Sequence, residues 1–268
     1  VSTTNVEYFD DAGHDFSEYS APTSCDVTVS SSQSIQTAGV DAASSSQTVC
    51  IEPGTYDEDV NVNKDITLAS TQGPGSTTIN GQGSGPQGAV EVSSDDVTVK
   101  GFTVNADGST HALYVQGQRS NVNVYSNHLV SASGGNALLT EGGQNDYEVE
   151  NNLLEGDSAS QIVYINGDTS VGLSSSSVDF IGNSFTGTVS TNGIVFGTEA
   201  ANSLVQLNDF NVATGYATAE TFESSVEFDK NNFRAGNSLE VNNGDSSGQV
   251  DANNNWWGTD GIQTSGDV

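Results

Sequence analysis

The side chains able to do chemistry in this chain are mostly carboxylates: 35 Asp and Glu against 5 Lys and Arg and 3 His. Two groups have spacings that could bring them together. Glu148, Glu150 and Asp179 form one, and Glu227, Asp229 and Asp251 form the other. Two carboxylates suffice for general acid–base work, and clustered oxygens suit Ca²⁺ or monovalent cations. A solvated acidic face is the plainer reading of the same residues. No cofactor beyond such cations is expected. Tyr114, Tyr125 and Tyr164 would offer flat faces to a glycan or a partner protein. The five bases are Lys64, Lys100, Arg119, Lys230 and Arg234, and the last two are expected in surface ion pairs. His14, His111 and His128 stand in no Gly-His-Gly element. Neither a Gly-x-Ser-x-Gly elbow nor a His/Cys cluster with metal-ligand spacing is present.

A repeat positions these residues. Phe102, Asn127, Asn152, Asn183, Asn208, Asn231 and Asn255 are separated by 25, 25, 31, 25, 23 and 24 residues. Three residues before each stands Val99, Val124, Val149, Phe180, Val205, Phe228 or Ala252. Two residues after stands Val104, Leu129, Leu154, Phe185, Phe210, Phe233 or Trp257. Alternating apolar residues between turn residues mark short strands with one buried face. A recurrence near 25 residues without helical periodicity marks a solenoid of β-coils rising ~4.8 Å each. The six Asn are then a structural ladder, hydrogen-bonded along the axis.

The fold expected is all-β: a right-handed, single-stranded parallel β-helix of eight to nine coils, over residues 48–258. In that register Glu148, Asp179, Glu227 and Asp251 point outward four residues before the reference position, and Glu150 and Asp229 two before. Tyr114, Leu139, Tyr164 and Val195 form a second outward column, expected as an exposed apolar stripe. It would meet a sugar, a neighbouring subunit, or the chain's own Phe9, Phe16 and Tyr19.

Residues 1–47 are expected to cap the open end, with Ile35, Ala38 and Ala42 on one helical face after a Ser-rich start. Residues 259–268 read as a tail that looks like the start of a further strand. Cys25 and Cys50 are expected to form a disulfide pinning cap to coil, in an oxidising, extracellular setting.

A net charge of −30 argues against nucleic-acid partners and anionic membrane surfaces. Membrane insertion is not expected, because no apolar run approaches a membrane span. Such charge is tolerable where salt at ~1 M cuts the screening length to about 3 Å. It points to a halophile, with a calcium-loaded extracellular protein as the rival reading. None of the 26 Asn lies in an N-glycosylation sequon.

Three segments carry a family likeness. Ile51-Glu52-Pro53-Gly54-Thr55-Tyr56-Asp57-Glu58 resembles the opening coil of right-handed parallel β-helix proteins, including pectinesterase-like and NosD-like groups. Val97 to Val104 resembles their repeat unit. Asn254-Asn255-Trp256-Trp257-Gly258 resembles a terminal coil of archaeal cell-surface members, so the whole is similar to haloarchaeal secreted or surface proteins. The likeness spans residues 33–268 and is specific for fold rather than function. The motifs by which lyases, polygalacturonases, pectinesterases and epimerases of this fold work are missing. The leading expectation is therefore a non-enzymatic extracellular stalk, adhesin or virion spike. It would contact glycans, copies of itself, or other surface or virion proteins. The alternative is a lyase or glycoside hydrolase using outward Asp and Glu.

Overall fold

Each coil begins with a strand that alternates apolar and polar residues, as in Val122–Tyr125, where Val122 and Val124 are buried and Asn123 and Tyr125 face out. Such a strand buries one face only, and stacking it on its equivalent one coil away satisfies its backbone. The computed structural model describes residues 14–17, 19–108, 110–142, 144–166, 177–198, 200, 202–222, 225–234, 239–244, 250–257 and 264–265. Over these the chain is a parallel β-helix with three strand faces.

Face 1 is a nine-stranded parallel sheet running from Val27–Val29 through Gln47–Ile51, Val97–Lys100, Val122–Tyr125, Tyr147–Glu150 and Val178–Ile181 to Glu227–Asp229. A bridge from Glu227 to Asp251 adds one more rung. Faces 2 and 3 belong to one larger sheet, because Leu153–Asn166 and Ser184–Phe196 run continuously around the corner between them. Face 2 includes Thr103–Asn105 and His128–Val130, and face 3 includes Gly88–Val92, His111–Val115 and Leu138–Glu141.

The Asn ladder lies at the corner between faces 1 and 2, fully buried from Asn127 to Asn231 and nearly so at Asn255. Asn127 Oδ1 accepts from the Phe102 N–H at 3.0 Å, and from Asn152 onward each Oδ1 accepts twice from the Asn one coil earlier. Asn127 donates to Asn152 Oδ1 from its backbone N–H at 2.8 Å and from Nδ2 at 3.2 Å. Asn183 does the same toward Asn208 at 2.9 and 3.0 Å, and Asn231 toward Asn255 at 2.8 and 2.9 Å. Each Nδ2 also donates to a face 1 carbonyl of the previous coil, Asn127 to Val99 and Asn208 to Phe180. The corner therefore leaves no buried amide of the ladder to chance. Behind it Phe185, Phe210, Phe233 and Trp257 stack with centroids 4.4 to 4.9 Å apart.

The N-terminal end departs from the expected division at residue 48. Val27–Val29 already pairs in parallel with Val49, Cys50 and Ile51, so the segment expected as a separate cap supplies the first strand of face 1. A single wide helical turn, Ile35–Val40, follows and buries Ile35, Gly39 and Val40. Ser34 caps it, accepting from the Thr37 N–H at 3.2 Å, as the Ser-rich start implies. The expected apolar face is half right: Ala42 is exposed, and Ala43 is buried instead. Cys25 and Cys50 form the disulfide, with Cα atoms 5.6 Å apart. Of the expected tail only Thr264 and Ser265 are described, and they pair with Val241 and Asn242.

Candidate active site on the outer faces

Register carries the outward residues of face 1 into rows. Asn123, Glu148 and Asp179 are Cα partners on successive coils, as are Lys100, Tyr125, Glu150 and Ile181. Parallel strands lie ~4.8 Å apart, so Glu148 and Asp179 are immediate neighbours. Tyr125 donates its hydroxyl hydrogen to the Glu148 carboxylate, and Asn123 Oδ1 lies 3.1 Å from the Tyr125 hydroxyl oxygen. Burial pushes the Asp179 carboxyl up, and the nearby charges of Glu148 and Asp146 add to this, against a backbone N–H from Leu204 at 3.1 Å. A pair with differing environments suits acid–base chemistry.

Beside this row is a cleft of about 320 Å³, lined by Tyr19, Ser20, Lys100, Tyr125, Ser126, Glu150 and Asn151. One wall is the N-terminal strap, residues 14–17 and 19–20, which meets the coils beside the ladder corner at Gly101, Asn151 and Ser184. Its anchor is Tyr19, whose hydroxyl donates to the Ser70 carbonyl at 2.5 Å. The ring lies over Gly73 and Gly101, both at positive φ; a Cβ at Gly101 would come within 2.4 Å of it. Lys100 Nζ holds the strap further by donating to the Ser20 carbonyl at 3.1 Å. The expectation that Tyr19 packs on the Tyr114 column is thus corrected. Phe9 lies outside the described residues.

The other acidic group is differently employed. Glu227 and Asp251 are bridged neighbours as expected, but Asp229 is nearly buried and its oxygens are spent. It accepts from Lys230 at 2.5 Å, Gln206 at 2.8 Å and Asn254 at 3.0 Å. Burial pushes its carboxyl up, but these hydrogen bonds outweigh it and hold the group below the usual range. Lys230 and Arg234 do form the expected ion pairs, with Asp229 and Asp209. Among the described residues no three His, Cys, Asp or Glu are placed to hold a metal ion. The expected cation sites at Glu148, Glu150 and Asp179 and at Glu227, Asp229 and Asp251 therefore find no preformed cage. Parallel rungs bring these residues side by side rather than around a point.

On face 3 the register is as expected: Tyr114 pairs with Leu139, Leu139 with Tyr164, and Tyr164 with Val195. The exposure is not. Tyr114 is 1 % exposed, Leu139 7 % and Val195 4 %, and Tyr164 is half-buried. Tyr114 donates to Glu141, accepts from Gln87 Nε2 at 3.3 Å, and lies against His111 with centroids 6.0 Å apart. Burial, then the bond to Glu141, pushes its phenol up. Gln87 reaches Tyr114 from the turn before the neighbouring strand, and the bare Gly88 lets that strand approach: a Cβ there would stand 2.9 Å from Tyr114 Cβ.

No protein-family model matches the chain, and no curated protein matches its sequence. Solved structures do match, pectin methylesterases among them. The enzyme from Aspergillus niger is 14 % identical over 92 % of this chain and 91 % of its own, with a TM-score of 0.65. The rice weevil enzyme is 13 % identical over 92 % and 91 %, TM-score 0.57. A pectin methylesterase in complex with a hexasaccharide is 11 % identical over 80 % of each chain, TM-score 0.54. At these identities the likeness establishes the right-handed parallel β-helix and no more.

Proposed function

We propose that the chain is an extracellular protein that binds and cleaves a polysaccharide laid along face 1. The observation that carries this is the neighbouring pair Glu148 and Asp179 beside the Tyr125 cleft. Asp179, whose carboxyl is pushed up by burial, donates its proton to the leaving glycosidic oxygen while Glu148, one rung away, attacks the anomeric carbon; water then hydrolyses the glycosyl–Glu148 ester and returns a proton to Asp179. Tyr125 positions Glu148 and gives a sugar ring a flat surface. The solved relatives support a sugar-acting protein over the stalk, adhesin or virion spike expected from sequence, one having been solved with a hexasaccharide. The disulfide supports an oxidising, extracellular setting.

The net charge of −30 supports a high-salt habitat, in which the thermal midpoint rises steeply between low salt and ~1 M KCl. Activity is tested by incubation with neutral and uronate polysaccharides, read by reducing ends and by absorbance at about 235 nm for elimination products. The expected result is turnover lost in Asp179→Asn. No turnover on any substrate, or turnover undiminished in the variant, would return the chain to the scaffold reading.

A further inference from the structure

The strap brings a histidine to a serine 170 residues further along the chain. His14 Nδ1 lies 2.9 Å from Ser184 Oγ, and His14 Nε2 lies 3.1 Å from the Asn151 carbonyl oxygen. A carbonyl oxygen only accepts, so Nε2 carries the ring hydrogen and donates it. Nδ1 then presents its lone pair, and the Ser184 hydroxyl donates to it. This is the protonation pattern of a general base on a nucleophile, with a third group orienting the base. Burial lowers the pKa of His14, which leaves the ring neutral and able to accept a proton near pH 7. Both side chains are only half-buried. Asn151 also lines the cleft, so a sugar held there lies next to the pair.

We propose that Ser184 and His14 are a nucleophile–base pair that hydrolyses small acyl esters, such as an O-acyl group on a sugar hydroxyl held in the cleft. Ser184 Oγ attacks the acyl carbon as its proton passes to His14 Nδ1. The bond from the acyl carbon to the sugar oxygen breaks, and the sugar hydroxyl leaves with that proton. Water then adds to the acyl-serine, giving a proton to Nδ1, and the serine oxygen departs and takes it back. The net change is ester plus water to acid plus alcohol. Free small esters suffice as substrates, so the activity does not depend on cleavage at Asp179.

The test uses the disulfide-bonded wild-type chain with p-nitrophenyl acetate and, separately, a fluorophosphonate read by peptide mass mapping. One adduct is expected, on the peptide carrying Ser184. Release of p-nitrophenol should fall at least tenfold in Ser184→Ala and in His14→Ala, with imidazole restoring part of the latter. An unlabelled chain, a label on another residue, or undiminished release by Ser184→Ala would overturn the proposal and leave the contact as a clamp on the strap. Labelling is read on the wild type without polysaccharide, so neither variant folding nor the Asp179 reading bears on it.

Discussion

Tyr125 on face 1 and Tyr114 on face 3 are nearly the same construction put to different ends. Each is the outward residue of a short strand, each donates to a glutamate on the next coil, and each has its phenol pushed up mainly by burial. Tyr114 is shut in by Gln87, Glu141 and His111, whereas Tyr125 lines an open cleft. Outward position in a β-helix therefore does not decide exposure. The surrounding side chains decide it: Gln87 from a turn and Glu141 and His111 from strands close over Tyr114. A closed tyrosine is part of the packing; an open one beside paired carboxylates is available to a ligand.

Substitutions can break or sharpen this contrast. The largest effect is expected from Tyr114→Ala, which removes a fully buried ring and should cost about 3–5 kcal/mol in denaturant unfolding. Tyr125→Ala should cost roughly 1 kcal/mol or less while abolishing oligosaccharide binding, because the side chain is only half-buried and lines the cleft. Tyr114→Phe deletes only the hydroxyl and leaves Glu141 and Gln87 each short of a partner, about 1 kcal/mol. Equal costs at the two tyrosines would remove the distinction.

The smallest effect on stability is expected from Asp179→Asn. The folded carboxyl has a raised pKa, so the fold binds its proton more tightly than the unfolded chain does. Asp179 therefore costs stability once ionised, and that cost fades as pH falls through its folded pKa. The variant should be slightly more stable than wild type at pH 7 and lose that advantage in acid, checked by thermal melts across pH.

Much of the interior is legible in the sequence because it repeats. The Asn at 127, 152, 183, 208, 231 and 255, and the aromatic column ending at Trp257, have period and chemistry that only stacked coils explain. The outward rows follow from the same register, so the Glu148–Asp179 and Tyr114–Leu139 pairings can be read from spacing. What cannot be read comes from segments outside the period. Gln87 closes over Tyr114 from a turn. Tyr19 finds a cradle at Gly73 and Gly101 that resembles ordinary turn glycines. His14 reaches Ser184 through a strap with no counterpart in the coils. Asp229 gives no sign in sequence that Lys230, Gln206 and Asn254 consume it.

The central claim is that the sugar lies on face 1. The most direct measurement is a crystal structure of the Asp179→Asn variant soaked with an oligosaccharide on which the wild type acts. The account predicts a pyranose ring in the cleft against Tyr125, with a glycosidic oxygen facing residue 179. Density on face 3 over Tyr114 and Tyr164, with the Tyr125 cleft empty, would contradict it.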